Sequence, residues 1–112
     1  MAAEMVVERG PAFAPAHPGA LLREDVLPAL GLPKSRLADH LGISRQTLYA
    51  ILNEERAVTA DVAARLGAAF GNNPVFWLNL QSQHDAWHAV RKPEIARIKV
   101  LAEAVRASAP SA

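Results

Sequence analysis

Four consecutive residues, Ser44, Arg45, Gln46 and Thr47, carry the side chains that a base edge or a phosphate would meet. A glutamine amide can pair bidentately with adenine, and an arginine fork with guanine or a phosphate. A threonine offers a methyl to thymine, a hydroxyl to phosphate, or a cap to its own turn. A serine placed before a helix reaches phosphate through its hydroxyl or through the free N–H groups of the helix it starts. Tyr49 falls one turn after Arg45 and Gln46 on the same exposed side; its hydroxyl suits a phosphate and its ring equally suits packing. Lys34 stands upstream, where it could clamp flanking backbone, and Asn53 closes the segment. The set divides into contacts that fix register, through phosphates, and contacts that carry sequence information, through base edges.

Other chemistries find less support. His84 and His88 are four residues apart and share a helical face, with Asp85 and Asp39 as possible third ligands. Zinc wants three or four ligands, and no second cluster is visible, so both histidines read as flanking Trp87 on a partly exposed face. The chain has no cysteine, hence no disulfide framework and no thiolate ligand or nucleophile. No Ser-His-Asp constellation and no Gly-rich phosphate loop stands out. The expectation is therefore no catalytic residue, no metal, no cofactor and no enzyme activity.

The elements that must position Ser44–Thr47 follow from periodicity. Leu37, Ala38 and Leu41 form the apolar face of a helix from about Pro33 to Leu41; Leu48, Ile51 and Leu52 form that of a second, Arg45 to Leu52. Gly42 lies where the chain must bend sharply, Ile43 can plug the corner, and Ser44 sits where an N-cap belongs. Ala38 is small where the two helices would cross. These features define a helix-turn-helix whose second helix can enter the major groove of DNA. Asn53 can take the left-handed conformation that ends that helix.

Flanking it, Pro18 and Gly19 begin a helix with Leu21, Leu22, Val26 and Leu30 on one face; near Pro28 it should bend or end, and Gly31 closes the segment. Thr59 caps a helix with Val62, Ala63, Leu66 and Phe70 inward, which Gly71 terminates. Asn73 and Pro74 start a longer helix that Lys92 and Pro93 break. Phe76 and Trp77 adjoin each other and cannot both face one core, so one can seal the domain while the other lies at a dimer seam. Ile95, Ile98, Leu101, Ala102 and Val105 recur with helical spacing in the last segment. The fold expected is all-α, with five helices around a helix-turn-helix plus an additional C-terminal helix. The domain layout expected is a flexible N-terminal arm over residues 1–16, with a short apolar cluster at Met5 to Val7. The DNA-binding domain follows over 17–91, then a C-terminal helical extension with a frayed tail over 92–112.

A chain of 112 residues, about half of them apolar but much of that alanine, builds a small core that a partner subunit would help to bury. The formal net charge of +1 is low for a nucleic-acid binder, so binding would rest on a local basic patch. No apolar run approaches the roughly 20 residues that span a bilayer. MAAEMVVERG lacks the pattern of a secretory signal, and the expected location is the cytoplasm.

Two flanking motifs add a resemblance. HPGALLREDVLPALGL, from His17 to Leu32, resembles the opening helix of HigA-type antitoxins, also described as VapI-like addiction-module regulators. GNNPVFWLNLQSQHDAWHA, from Gly71 to Ala89, resembles their closing helix, and the helices together resemble the Cro/lambda-repressor type. The resemblance spans roughly His17 to Ala89. It implies a homodimer that binds a palindromic operator in its own promoter and neutralises a HigB-type toxin, a RelE-type ribonuclease that cuts messenger RNA on the ribosome. Three positions depart from the pattern: Pro33 replaces a capping Ser or Thr, Glu54 and Glu55 stand where Gly and basic residues are common, and His84 replaces an aromatic residue. A free-standing repressor without a toxin is the alternative. So is a protein-interaction module that no longer binds DNA, which the low charge and the Glu54-Glu55 pair favour.

Overall fold

The computed structural model describes residues 13–108, and all its regular elements are helices. The first, α1, is continuous through an α-helical Pro18–Leu21, a π-helical Leu22–Val26 and an α-helical Leu27–Leu30. Then follow α2 (Lys34–Leu41), α3 (Arg45–Leu52), α4 (Ala60–Phe70), α5 (Pro74–Ala89), α6 (Pro93–Ala96) and α7 (Leu101–Ser108). The expected arm lies largely outside the described residues, as do its Met5–Val7 cluster and the last four residues of the expected frayed tail.

Side-chain chemistry sets most of the helix ends. Thr59 accepts a hydrogen bond from Val62 N, and Asn73 from Val75 N, as their positions before helical runs predict. Pro33 caps α2 without a side-chain bond, since its hydrocarbon ring carries no acceptor. Gly42 takes φ +72, which lets Ile43 N donate back to the Ala38 carbonyl and turns the chain toward α3.

Beside Pro28, α1 widens into a π turn, closed by Leu27 N donating to Leu22 O, which accommodates a ring that carries no N–H; the helix ends two residues on at Leu30, where Gly31 takes φ +61. Two expectations are corrected. Asn53 is not left-handed (φ −86). α3 ends at Leu52, Asn53 continues as a turn residue, and Glu54 takes φ +62. Glu54 N bonds Ile51 O, and Glu55 N bonds Ala50 O, so the turn normally built on glycine is built on glutamate. The C-terminal segment is not one helix but the short α6 and α7 separated by residues 97–100. No residue of either is buried, and Ile98, Leu101 and Val105 are 58–75% exposed. Without a supporting face, pieces this short have little to hold them in one rod.

The core is where α1, α2, α3 and α4 meet: Leu22, Leu37, Leu48, Ile51 and Leu66 are completely or almost completely buried. Ala38 is fully buried at the α2–α3 crossing, the small residue its place requires. Gly19 lets α1 lie directly on α3, since a Cβ there would overlap the Ile51 carbonyl. Trp77 closes the other end of the core against Phe70, its indole N–H donating to Asn72 Oδ1 at 2.9 Å. Among the described residues no helix is long and apolar enough to cross a membrane.

Candidate nucleic-acid interface

α3 presents its first turn outward because its other face is consumed. Leu48, Ile51 and Leu52 are buried, which leaves Ser44, Arg45 and Gln46 exposed and Thr47 half-buried. Ser44 Oγ accepts from Thr47 N at 3.0 Å and donates to Thr47 Oγ1 at 2.8 Å. The cap therefore fixes the Thr47 side chain as well as the backbone. Arg45 reaches Asp39 at 3.5 Å, with both side chains 61% exposed; a pair so wet is worth little and leaves the guanidinium available. Gln46 makes no side-chain hydrogen bond among the described residues, so its amide is unspent. Lys34 Nζ lies 4.4 Å from the centre of the half-buried Tyr49 ring, which joins the two as one cation–π unit across α2 and α3. Asn53 is exposed but stands at the far end of α3, roughly 12 Å along the axis from the first turn.

The arginines around the motif divide by what they touch. Arg23, from the π turn, donates to the Leu52 carbonyl at the C-terminus of α3 and pairs with Glu54 at 3.2 Å. Its side-chain bonds to Glu24 and then Glu54 raise its already high pKa. Arg65 donates to the Leu41 carbonyl at 2.9 Å and to Asp61, which closes the C-terminus of α2. Both cations sit where a helix dipole is negative and are engaged in holding the motif together. Arg56 is different: it comes back from the loop after α3 and donates to Thr47 Oγ1 at 3.1 Å.

Residues 22–78 match the family model described as helix-turn-helix. Over 73 residues the chain is 38% identical to antitoxin HigA-1 of Vibrio cholerae, covering 65% of this chain and 69% of that protein. This chain belongs to the HigA-type antitoxin family. It is also 42% identical over 69 residues to virulence-associated protein I of Dichelobacter nodosus, where the match spans 62% of this chain and 64% of its relative. The solved structure of Pseudomonas aeruginosa antitoxin HigA with the higBA promoter superposes with a TM-score of 0.69 at 37% identity, covering 78% of this chain and 98% of that one.

For this HigA-type chain the flanking motifs have structural work. Gln81, in the WLNLQ run, is buried; its Oε1 accepts from Val58 N at 2.8 Å and its Nε2 donates to Asp85. That bond pins the loop that delivers Arg56. His17, which opens the other motif, is 3% exposed and accepts from Gly19 N at 2.9 Å through Nδ1. Burial holds its pKa below the ordinary value, and the neighbouring His84 pushes the same way. His84 Nδ1 donates to the Pro15 carbonyl at 2.9 Å, and its ring packs against His17 and His88. The histidines thus meet ring against ring, and among the described residues no three side chains converge as metal ligands. Of the adjacent aromatics, Trp77 is 2% exposed and belongs to the core, whereas Phe76 is 45% exposed. Sequence reasoning missed Arg56, Gln81 and His17 as site or supporting groups, because their partners lie 9, 23 and, for the His17–His84 contact, 67 residues away, beyond any local pattern.

Proposed function

We propose that this chain is the operator-binding antitoxin of a type II toxin–antitoxin module, acting in the cytoplasm as a homodimer and neutralising a HigB/RelE-type ribonuclease toxin. The observation that carries the DNA half is the first turn of α3: Arg45 and Gln46 project from a helix whose apolar face is fully buried, with the Gln46 amide unspent. Family membership and the promoter-bound relative support it. In this reading Gln46 and Arg45 read base edges, Ser44 and the N-terminus of α3 hold a phosphate, Lys34 and Tyr49 grip the flanking backbone, and Asn53 meets the strand at the far end. Phe76, backed by Trp77, lies at the dimer seam, and pairing sets the two copies of α3 about one DNA turn apart, ~34 Å.

The test is a gel shift with the chain's own upstream DNA at controlled salt. Wild type should bind that region in preference to scrambled DNA. Gln46→Ala should relax the preference, at a cost of about 1–3 kcal/mol for each bidentate base pairing it removes. Unchanged affinity and preference in Gln46→Ala would remove it as a reader. Light scattering should report a dimer at micromolar concentration, and co-expression with a small basic ribonuclease encoded next to it should yield a stable complex. A chain that binds DNA but no such neighbour is a free-standing repressor.

A further inference from the structure

Leu101 and Val105 stand one turn apart on α7, with Ile98 and Val100 just before them, and all four are exposed. Apolar surface left in water is unfavourable, and an eight-residue helix does not hold itself together. The described chain extends 69 Å along one axis and 24 Å along the other two, with a radius of gyration of 19.3 Å, against about 13 Å for a compact domain of about 100 residues. The excess lies in the C-terminal arm. α5 runs for 16 residues, ~24 Å, away from the corner where Phe70 meets Trp77, and α6 and α7 continue beyond its far end. At that corner the body has an open groove of about 580 Å³, lined by Leu30, Leu32, Leu37, Ala69 and Phe70, with Asp39 on its rim. The groove is continuous with the proposed dimer seam, because Phe70 packs on Trp77 and Trp77 meets Phe76 edge-on at 5.1 Å. Phe76 alone makes too small a seam. A stable interface takes about 800 Å² from each partner, an aromatic side chain buries about 150–250 Å², and Phe76 is already more than half covered.

We infer that α7 is an exchanged arm, whose Leu101–Val105 face fills the Leu30–Phe70 groove of a second copy of this chain. Two-fold symmetry makes the exchange reciprocal, so each copy gives an arm and receives one, and the apolar area added to the seam is counted twice. Charge agrees with this occupant. With Leu101 and Val105 turned inward, Arg106 comes to the flank of α7, and the 61% exposed carboxylate of Asp39 is the anion on the groove's rim. The inference rests on the homodimer of the reading above and names the segment and the groove that hold it together.

The chain has no cysteine, so Leu30→Cys and Leu101→Cys, both at exposed positions, introduce a defined pair of thiols into the full chain. Under mild oxidation the double variant should run as a covalent dimer on a denaturing gel, and each single variant should cross-link far less. An internally cross-linked monomer would put α7 on its own groove, and a dimer without the cross-link would leave the groove empty; either overturns the inference. Leu101→Asp changes a side chain that no packing within its own copy supports. By sedimentation it should weaken the dimer about a hundredfold or more, since each dimer loses a buried leucine twice, at about tenfold or more each. An unchanged dimer constant in Leu101→Asp overturns the inference, and if Phe76→Ser then abolishes the dimer, the seam reading stands without it. A wild-type chain that is monomeric at micromolar concentration defeats the homodimer reading itself, and the exchanged arm with it.

Discussion

Removing the His17 imidazole tests how the N-terminal helix is seated. Its Nδ1 accepts from Gly19 N inside a buried corner, where both residues are shut off from water. An N-cap is worth about 0.5–2 kcal/mol, and a buried N–H left without an acceptor puts His17→Ala near the top of that range, about 2 kcal/mol. For a domain of this size that corresponds to a fall in Tm of roughly 8–16 °C. The cap works only while Nδ1 holds a lone pair, so the protonated ring is excluded from this geometry. Burial, then His84, lower the pKa of His17 in the folded state, and Glu54, Asp85 and the Arg56 carbonyl oppose them incompletely. The folded chain therefore binds fewer protons at this site than the unfolded chain. Stability is at its full value above the unfolded pKa of about 6.5 and is lost as pH falls from there through the lower folded value. Urea unfolding at pH 7.5 and pH 5.5 should show wild type losing stability with acid. His17→Asn, which keeps a good capping acceptor without a titrating ring, should lose less between the two. Equal losses in the two proteins would refute the assignment of the neutral cap.

Three further outcomes follow from contacts described above. Glu54→Gly relieves a left-handed non-glycine residue, worth about 1–2 kcal/mol, at the expense of an exposed ion pair with Arg23 worth about 0–1 kcal/mol. The urea midpoint should rise by the equivalent of about 1 kcal/mol, and a clear fall would show that the ion pair dominates. Gly19→Ala sets a Cβ into the Ile51 carbonyl and should destabilise by about 1–3 kcal/mol or more, read as a lowered melting temperature; a wild-type melt would mean that α1 shifts freely on α3. Lys34→Ala should weaken binding to specific and non-specific DNA alike and reduce the salt slope by about 0.9, whereas a loss confined to one base pair would contradict a phosphate role.

Much of this molecule was legible in its sequence, and the reason is local. The bounds of α3, the Ser44, Thr59 and Asn73 caps, and the turns at Gly42 and Gly71 depend on residues within a few positions of one another. What escaped depends on distance along the chain. Pro28 marked the disturbance in α1 but not its form, because a widened turn has no composition of its own. Asn53 misled because asparagine is the better left-handed residue, yet Arg23 of α1 arrives to hold Glu54, and the turn forms one residue later. Arg56 drew no reading beside Glu54 and Glu55, because only the fold brings it to Thr47. The final segment had helical spacing but nothing in the described residues for its apolar side to rest on.

Each end of α3 is tied off by a group from its own chain: a serine at the start, and at the finish an arginine that crosses over from α1. A rod secured in this way is already in its working shape when anything approaches it. Docking then requires no coil-to-helix step, and the entropy that such a step would consume is absent. For so preorganised a surface, good and poor target sequences should be told apart by how long the complex lasts and much less by how fast it forms.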